Sequence, residues 1–409
     1  RGPAPELGLS PVFLTEAARR ERDFDRCIQA YEQAVALYRG EFMQGSYEPW
    51  VDEQRSYYRE QYLRMLESLA AVAENRRAPG EPRACDFAGR RVDVVVDWIA
   101  YTPEDIEREK KVVVEEIKMV EDTPDDLVHE LFTQAFWEGH PLGRPILGTK
   151  ESVEGLTQQR LRDHFRGAYA AENVIISAAG NLEHASLREA LEKAFGEMPS
   201  AGRKETWTAP AVVPKVVIRT KELEQSHICL GASSYPQNHD ARYASYVLNT
   251  MLGGSMSSRL FQNIREKRGL AYSVFSGINA YRDAGSLTVY AGCANEAVGE
   301  VIDLVVEEMK VIKQAPVPDS ELRRAKDHLK GSVMLSLENT ASRMSHLARQ
   351  EIYFDRQFSL DETLEGIERV TPADIKQVAH DVFSNGSLAA TVLGQVNGLD
   401  LPRERLNLN

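Results

Sequence analysis

Hydrophobic residues recur at helical spacing through residues 1–75. One run follows the candidate N-cap Asp23, a turn is predicted at Arg39 and Gly40, and a second run begins at Trp50. The runs consist of Phe24, Ile28, Tyr31, Val35 and Tyr38, and then of Trp50, Gln54, Tyr58, Tyr62, Met65, Leu69 and Val72, with one polar break. Stripes at this spacing are typical of a core or a helix-pairing surface rather than of a ligand site. The pattern predicts an all-α segment.

The pattern changes after this segment. Residues 76–91 carry Pro, Gly and Arg without periodicity, which predicts a linker or junction. From residue 92 onward, helical and strand-like patterns alternate, which is typical of an α+β fold. The predicted helices cover residues 104–119, 296–313 and 318–350, and the predicted strands cover residues 174–180, 216–218, 228–230, 272–278 and 287–291.

Two stretches of the chain align with each other without a gap. Residues 157–182 and 371–396 are separated by a constant offset of 214 positions (371 − 157). The matched pairs are Thr157 with Thr371, Leu161 with Ile375, Tyr169 with Phe383, Val174 with Leu388, and Gly180 with Gly394. Each stretch reads as a helix opened by threonine, a loop, and a buried strand that ends in glycine. The alternative is a chance match, but order and spacing favour a duplicated module.

The repeat sets the predicted domain organisation. The second copy starts near Lys215 and carries about a hundred residues before its long helix, whereas the corresponding part of the first copy is occupied by the helical segment. We therefore predict an α+β fold with two duplicated modules, the first one truncated, preceded by an all-α TPR-like segment. The predicted boundaries are 1–75 for the helical segment, 76–91 for the junction, 92–205 for the partial first module and 206–409 for the second module.

Composition excludes several classes of function. A formal net charge of −13 over 409 residues argues against nucleic-acid binding through a broad basic surface. No apolar run approaches the roughly 20 residues of a membrane helix. The four cysteines (Cys27, Cys85, Cys229 and Cys293) form no C-x-x-C pair, which favours a reducing compartment, and we expect the cytoplasm. Because the chain begins with Arg1, we expect a fragment or a processed form.

Three motifs carry a resemblance to a known family. They are PEDIEREKKVVVEEIKMVEDTPDDLVHELF from Pro103, HPLGRPILGTKESV from His140, and LGGSMSSRLFQNIREKRGLAYSVFSG from Leu252. Through them, residues 92–409 resemble the M16 (pitrilysin/insulinase, processing-peptidase-like) zinc peptidases. The resemblance implies two homologous α+β modules that close like a clamshell around an extended peptide.

The resemblance also implies a zinc site in the first module. In the family, two histidines of an H-x-x-E-H motif hold Zn²⁺, the intervening Glu is the general base, and a later Glu is the third ligand. Glu116 matches that third ligand, and Glu109, two helical turns earlier, matches its supporting carboxylate. The alternative for both is a charged, solvated helix face. No two of the nine histidines are four positions apart. We therefore expect no bound cofactor, although zinc is the cofactor of the parent family.

The second module keeps two matching positions. Arg265 and Tyr272 match the family's paired arginine and tyrosine, which contact the peptide and the reacting carbonyl. An arginine provides a fixed positive fork, and a tyrosine provides a hydrogen-bond donor. The alternative is an ordinary ion pair at a helix end and a core tyrosine. The segment 13–75, through LYRGEF and EPWVDEQR, resembles the bacterial transcriptional activator domain, a TPR-like helical module.

These observations leave several functional hypotheses. The leading one is an M16 metallopeptidase-family protein that is non-catalytic as it stands and binds a peptide or an unfolded protein segment, or pairs with a zinc-bearing homologue or a second copy of itself. One alternative is an active zinc-dependent endopeptidase in which Glu116 converges with His129 or His140. Another is a regulatory protein in which residues 1–75 recruit a partner. A further alternative is a sequence chimera joined at residues 76–100. Nucleic acid and membrane are not expected as partners.

Overall fold

The computed structural model describes residues 102–200, 202 and 208–409, together with the main chain of two short strands before them. The predicted helical segment 1–75 lies outside the described residues. The two short strands, β1 (Cys85–Phe87) and β2 (Arg90–Val92), pair antiparallel, with Cys85 opposite Val92. They fall at the end of the predicted junction.

Helices and strands alternate along the rest of the described chain. The helices are α1 (Pro103–Asp122), α2 (Pro124–Phe136), α3 (Lys150–Glu154), α4 (Gln158–Ala168), α5 (His184–Phe195), α6 (Arg242–Leu252), α7 (Val298–Gln314), α8 (Asp319–Ser336), α9 (Thr340–Phe354), α10 (Leu360–Glu368) and α11 (Pro372–Val382). The strands are β3 (Val216–Thr220), β4 (Ser226–Ser234), β5 (Ala271–Ala280), β6 (Gly285–Cys293) and β7 (Ala389–Gly394). The mixture confirms the predicted α+β class.

The chain separates into two compact units. One unit comprises residues 1–99 and 183–198, and its described elements are β1, β2 and α5. The other unit comprises residues 100–182 and 199–409 and contains the remaining helices and strands listed above, including the five-stranded sheet.

The five-stranded sheet has the strand order β3-β7-β4-β6-β5. β3 and β7 run parallel, with Val216 opposite Ala390, and the other neighbours are antiparallel. Each of the four strands predicted between residues 216 and 291 lies inside one of these strands, so those predictions are confirmed. β5 forms one edge of the sheet.

The two faces of the sheet are buried by different helices. Ile228 and Leu230 of β4 point into a core built with α6, α7, α8 and α11. Cys229, between them, points to the opposite face, as the two-residue period of a strand requires. That face is covered by α2 through Phe132 and Phe136, which are both almost fully buried. α2, which falls in the predicted first module, therefore packs directly on the sheet of the predicted second module.

Two predicted helices differ from the structure in their extent. The helix predicted over 104–119 is α1, which begins after Thr102, whose hydroxyl accepts a hydrogen bond from the Asp105 N–H (3.1 Å). The helix predicted over 318–350 is wrong in its continuity, since α8 ends at Ser336 and α9 begins after Asn339. The Asn339 side chain accepts hydrogen bonds from the N–H groups of Ala341 and Ser342. This arrangement caps the start of a new helix and does not continue α8.

The repeat has matching backbone geometry in both copies. Thr157 caps α4 and Thr371 caps α11, each with its hydroxyl accepting from the N–H three residues later. Further along, Gly180 and Gly394 have φ angles of 146° and 157°. Equivalent caps and equivalent glycine conformations at the same offset support a duplicated module.

The strand predicted at residues 174–180 is wrong. These residues form no strand, and Ile175 and Ile176 are 47% and 46% exposed, whereas the equivalent Ala389 and Ala390 of β7 are buried. β7 lies between β3 and β4, which belong to the opening half of the second module. The sequence predicts that the first module lacks this half, and among the described residues the segment 174–180 has no neighbouring strand with which to pair.

Candidate functional site

A wide helical turn leads from α6 to β5 and carries Arg265. Residues Phe261–Glu266 form a π-turn, in which the Lys267 N–H donates to the Gln262 carbonyl five residues earlier (3.0 Å). Gly269, with φ +64°, then reverses the chain into the edge strand β5. Single π-turns of this kind occur frequently at functional sites. The reversal places Tyr272, the second residue of β5, back beside the turn.

Arg265 and Tyr272 converge in the structure. The Arg265 guanidinium carbon lies 5.4 Å from the centre of the Tyr272 ring and 4.8 Å from that of Phe261, so two aromatic faces hold the cation. Its nearest carboxylate is Glu266, at a long 4.0 Å. Tyr272 is 78% exposed, and within the described chain neither polar group has a hydrogen-bond partner. Both side chains therefore present free donors.

Arg265 and Phe261 line an open cavity of about 330 Å³. Its wall includes Gly253, Gly254, Ser273 and Ser276. The Ser276 N–H, on the outer edge of β5, donates to the Gly253 carbonyl (3.1 Å), so the glycine loop covers the strand edge there. A Cβ on Gly253 would lie 2.5 Å from that Ser276 nitrogen, so only glycine allows this approach.

Glu109 and Glu116 occupy one face of α1. They are seven positions apart (116 − 109), which is two helical turns, and both are exposed. Neither has an ion pair or hydrogen bond with another residue in the described part of the chain. Ion pairs of 2.6 and 2.7 Å form instead between their neighbours, Glu107 with Lys110 and Glu115 with Lys118.

The residues present do not fit a zinc ion. Among residues 102–200, 202 and 208–409, no three His, Cys, Asp or Glu side chains are grouped as metal ligands. Zinc sites in proteins use three or four such ligands, and Glu116 would supply one. The ring nitrogens of His140 are taken up by the Leu142 N–H (3.2 Å) and the Thr208 carbonyl (3.0 Å).

His129 belongs to a second cluster, between α2 and the sheet. Its ring stacks on Tyr290 at 5.2 Å between centroids, and its Nδ1 lies 3.8 Å from Cys229 Sγ. The Tyr290 hydroxyl is hydrogen bonded to His227 Nδ1 (2.9 Å). Burial lowers the pKa of both histidines, raises the pKa of the Cys229 thiol and raises the pKa of Tyr290 to about 12.

This cluster is therefore neutral at pH 7. A neutral thiol is a poor nucleophile, so the proximity of Cys229 to His129 does not form a catalytic pair. Sequence reasoning missed the cluster. His227 and Cys229 are two positions apart on β4, which puts them on one face, but their contact with His129, a hundred residues before Cys229, depends on how α2 packs.

An α+β scaffold with a repeated module and a converging Arg–Tyr pair is the arrangement expected of an M16-type fold, and comparisons with known proteins identify the family. Residues 155–329 match the family model described as the peptidase M16 inactive domain, and residues 90–150 match insulinase (peptidase family M16). Residues 12–81 match the bacterial transcriptional activator domain. The chain belongs to the M16 family, and both resemblances inferred from the sequence are confirmed.

Two curated relatives support the same family assignment. The uncharacterized zinc protease YmxG of Bacillus subtilis is 36% identical over 75% of this chain and 76% of its own length. An uncharacterized zinc protease of Streptomyces coelicolor is 37% identical over 71% of this chain and 66% of its own.

The fold recurs in solved structures of low identity. A peptidase M16 inactive domain from Pseudomonas fluorescens has a TM-score of 0.67 at 20% identity, covering 72% of this chain and 71% of its own. A chain of complex III2 from Candida albicans has a TM-score of 0.68 at 22% identity, covering 75% of this chain and 76% of its own. These two likenesses support the fold alone. No helix in the described part is long and apolar enough to cross a membrane.

Proposed function

We propose that this chain is a non-catalytic M16-family protein whose second module binds an extended peptide at Arg265 and Tyr272. The observation that carries the proposal is the convergence of these two side chains, with uncommitted donors, beside an open cavity that Arg265 lines. The 409 residues contain no H-x-x-E-H motif that would supply the zinc ligands and the general base.

The chemistry of the pair suits a peptide main chain. The Tyr272 hydroxyl donates to a carbonyl oxygen, and the Arg265 fork donates two parallel hydrogen bonds to a carbonyl or carboxylate. The aromatic rings on either side of the guanidinium orient it before a ligand arrives, which reduces the entropy lost on binding. Hydrolysis would additionally require an activated water, and Glu116 alone does not provide one.

Binding and cleavage are tested on the same purified protein. Fluorescence anisotropy with labelled random-sequence peptides measures binding, and the Arg265→Ala and Tyr272→Phe variants are expected to weaken it by about tenfold each, the equivalent of about 1.4 kcal/mol. Arg268→Ala is the matched control, because Arg268 is an exposed arginine just after the same turn. Equal effects of all three substitutions would contradict the assignment.

The non-catalytic role is tested by metal analysis and a peptide-cleavage assay with added zinc. We expect no stoichiometric zinc and no cleavage. One zinc per chain together with chelator-sensitive cleavage, abolished by Glu116→Gln, would instead establish the alternative of an active endopeptidase with an atypical site.

The same site also suits a subunit that supplies second-module contacts to a zinc-bearing M16 homologue. Light scattering of this chain mixed with such a homologue tests for a complex, and a gain in peptide cleavage over the homologue alone tests its role. A gain that persists in the Arg265→Ala variant would argue against the site as its source.

The match of residues 12–81 to the bacterial transcriptional activator domain favours a second candidate function, recruitment of a regulatory partner. A candidate partner that binds the full chain and not a chain without residues 1–75 would support this role. A partner bound equally by both would contradict it.

A further inference from the structure

Residues 175–180 occupy the place in the first module that β7 occupies in the second. The offset is the same as in the rest of the repeat, 214 positions (389 − 175). All six residues of β7 are buried within the sheet. Residues 175–180 follow an equivalent helix and end at an equivalent glycine, yet no strand of the described chain lies beside them.

The main chain of this segment has no partner among the described residues. Across the described residues, no backbone N–H or carbonyl of 175–179 is hydrogen bonded to another main-chain group. The segment is anchored by one side chain, Ser177, whose hydroxyl donates to the Met344 carbonyl of α9 (3.0 Å). Ile175, Ile176 and Met344 are each at least 40% exposed, so free main-chain groups adjoin an apolar surface.

The second module shows what covers such a strand. β3 lies beside β7 in parallel register, with Val216 opposite Ala390 and Thr220 opposite Gly394. β3 (Val216–Thr220) is a short strand that is rich in β-branched residues. Its equivalent in the first module would start opposite Ile176, which corresponds to Ala390.

We propose that residues 175–180 are a docking site for an extended, apolar, β-branched strand donated by another polypeptide, paired in parallel as β3 pairs with β7. Main-chain hydrogen bonds provide the affinity of such strand addition, and alternate side chains provide its specificity. The donor strand would satisfy the free main-chain groups and cover part of the exposed isoleucines. This site is separate from Arg265 and Tyr272, so it stands independently of the proposed function.

The probe is a fluorescein-labelled peptide with the sequence of residues 213–221, VPKVVIRTK, because its core pairs with β7 within this chain. We expect saturable binding and slower amide exchange at residues 174–180. A peptide in which the position of Ile218 is proline lacks a main-chain donor and is expected to bind much more weakly.

Protein variants locate the binding. Ile176→Asp is expected to weaken binding at least about tenfold, as a charge in an apolar contact should. Ile146→Asp is the matched control, since Ile146 is a fully exposed isoleucine of the same module and is expected to have no effect. A peptide bound at Arg265 and Tyr272 would leave amide exchange at residues 174–180 unchanged and would be insensitive to Ile176→Asp, so failure of one site is distinguishable from failure of the other. Circular dichroism confirms that each variant is folded.

Three results would overturn the proposal. One is the absence of binding, and another is binding that is equal in the Ile176→Asp and Ile146→Asp variants. The third is exchange protection at residues 389–394 alone, which would mean that the peptide replaces β3 in the second module. Size-exclusion chromatography completes the test, since a dimer that Ile176→Asp dissociates would identify a second copy of this chain as the occupant and not a separate partner.

Discussion

The two matched glycines of the repeat allow one structural change to be made in two environments. An alanine Cβ at position 394 would lie 2.2 Å from Ser226 Oγ and 2.8 Å from Ser226 Cα on the neighbouring strand β4. An alanine Cβ at position 180 would meet no atom of the described residues within 4 Å. The φ angles of Gly394 and Gly180, 157° and 146°, are similar, so both substitutions carry similar backbone strain.

The difference between the two variants therefore isolates the steric clash. Because Ser226 is fully buried and its Cα cannot rotate away, β4 and β7 must separate, and overpacking of this kind costs about 1–3 kcal/mol. The Ser226 hydroxyl also donates to Asn295 Oδ1 (2.6 Å), and losing that bond adds about 1 kcal/mol. We expect Gly394→Ala to be less stable than Gly180→Ala by about 2–4 kcal/mol.

Urea denaturation followed by circular dichroism at 222 nm measures this difference. Unfolding of a chain of this size need not be two-state, so the comparison uses the shift in the urea midpoint of each variant. The same dependence of the unfolding free energy on urea concentration is applied to both variants. Ser226→Gly combined with Gly394→Ala removes the hydroxyl contact and is expected to recover part of the loss. Equal destabilisation at the two glycines would contradict the difference in packing between Gly394, which adjoins β4, and Gly180, which has no neighbouring strand among the described residues.

Three further predictions follow from the contacts around α2 and the core. Phe132→Ala, in the face between α2 and the sheet, is expected to lower the free energy of unfolding by about 3–5 kcal/mol in urea denaturation, whereas Ile146→Ala changes it by less than about 0.5 kcal/mol. Burial lowers the pKa of His129 below its ordinary 6.5, so the unfolded chain binds a proton there more readily than the folded chain does. The contribution of His129 to stability is therefore fully present above pH 6.5 and is lost as the pH falls below it. His129→Gln should flatten this part of a profile of melting temperature against pH. Arg259 donates two hydrogen bonds, of 2.7 and 2.8 Å, to the Glu321 carboxylate, and Arg259→Ala leaves that carboxylate without its partner. We expect the free energy of unfolding to fall by about 3 kcal/mol in the same denaturation assay, with only part of it recovered by Arg259→Lys.

The strands of the second module were predictable because buried strands consist of short runs of apolar and small residues, and such runs are visible in the sequence. β6 is buried at every position, and its run of apolar and small residues is bounded by Gly285 at one end. The break between α8 and α9 had a local signal as well, since Asn339 followed by threonine is a common N-cap sequence. Neither Gly nor Pro accompanies Asn339, so the helical periodicity alone predicts no break there.

The convergence at the candidate site could not be predicted from residue patterns alone. Arg265 and Tyr272 are seven positions apart, which in a continuous helix would leave them two turns distant. The π-turn and the reversal at Gly269 bring them into contact, and both depend on how the turn packs against β5. Family resemblance named the two residues, and the structure supplies their contact.

The first module shows why a pattern predicts a strand only where a neighbour exists. Residues 174–180 have the apolar, β-branched character of a buried strand, but strand formation depends on pairing and cross-strand packing more than on intrinsic preference. The same repeat unit is buried in the second module, where β3 and β4 flank it. In the first module, the sequence places a helical segment where those strands and the H-x-x-E-H motif would be. The half-module that the sequence predicts to be missing would account for both the exposed segment 174–180 and the absence of the histidine pair that would accompany Glu116.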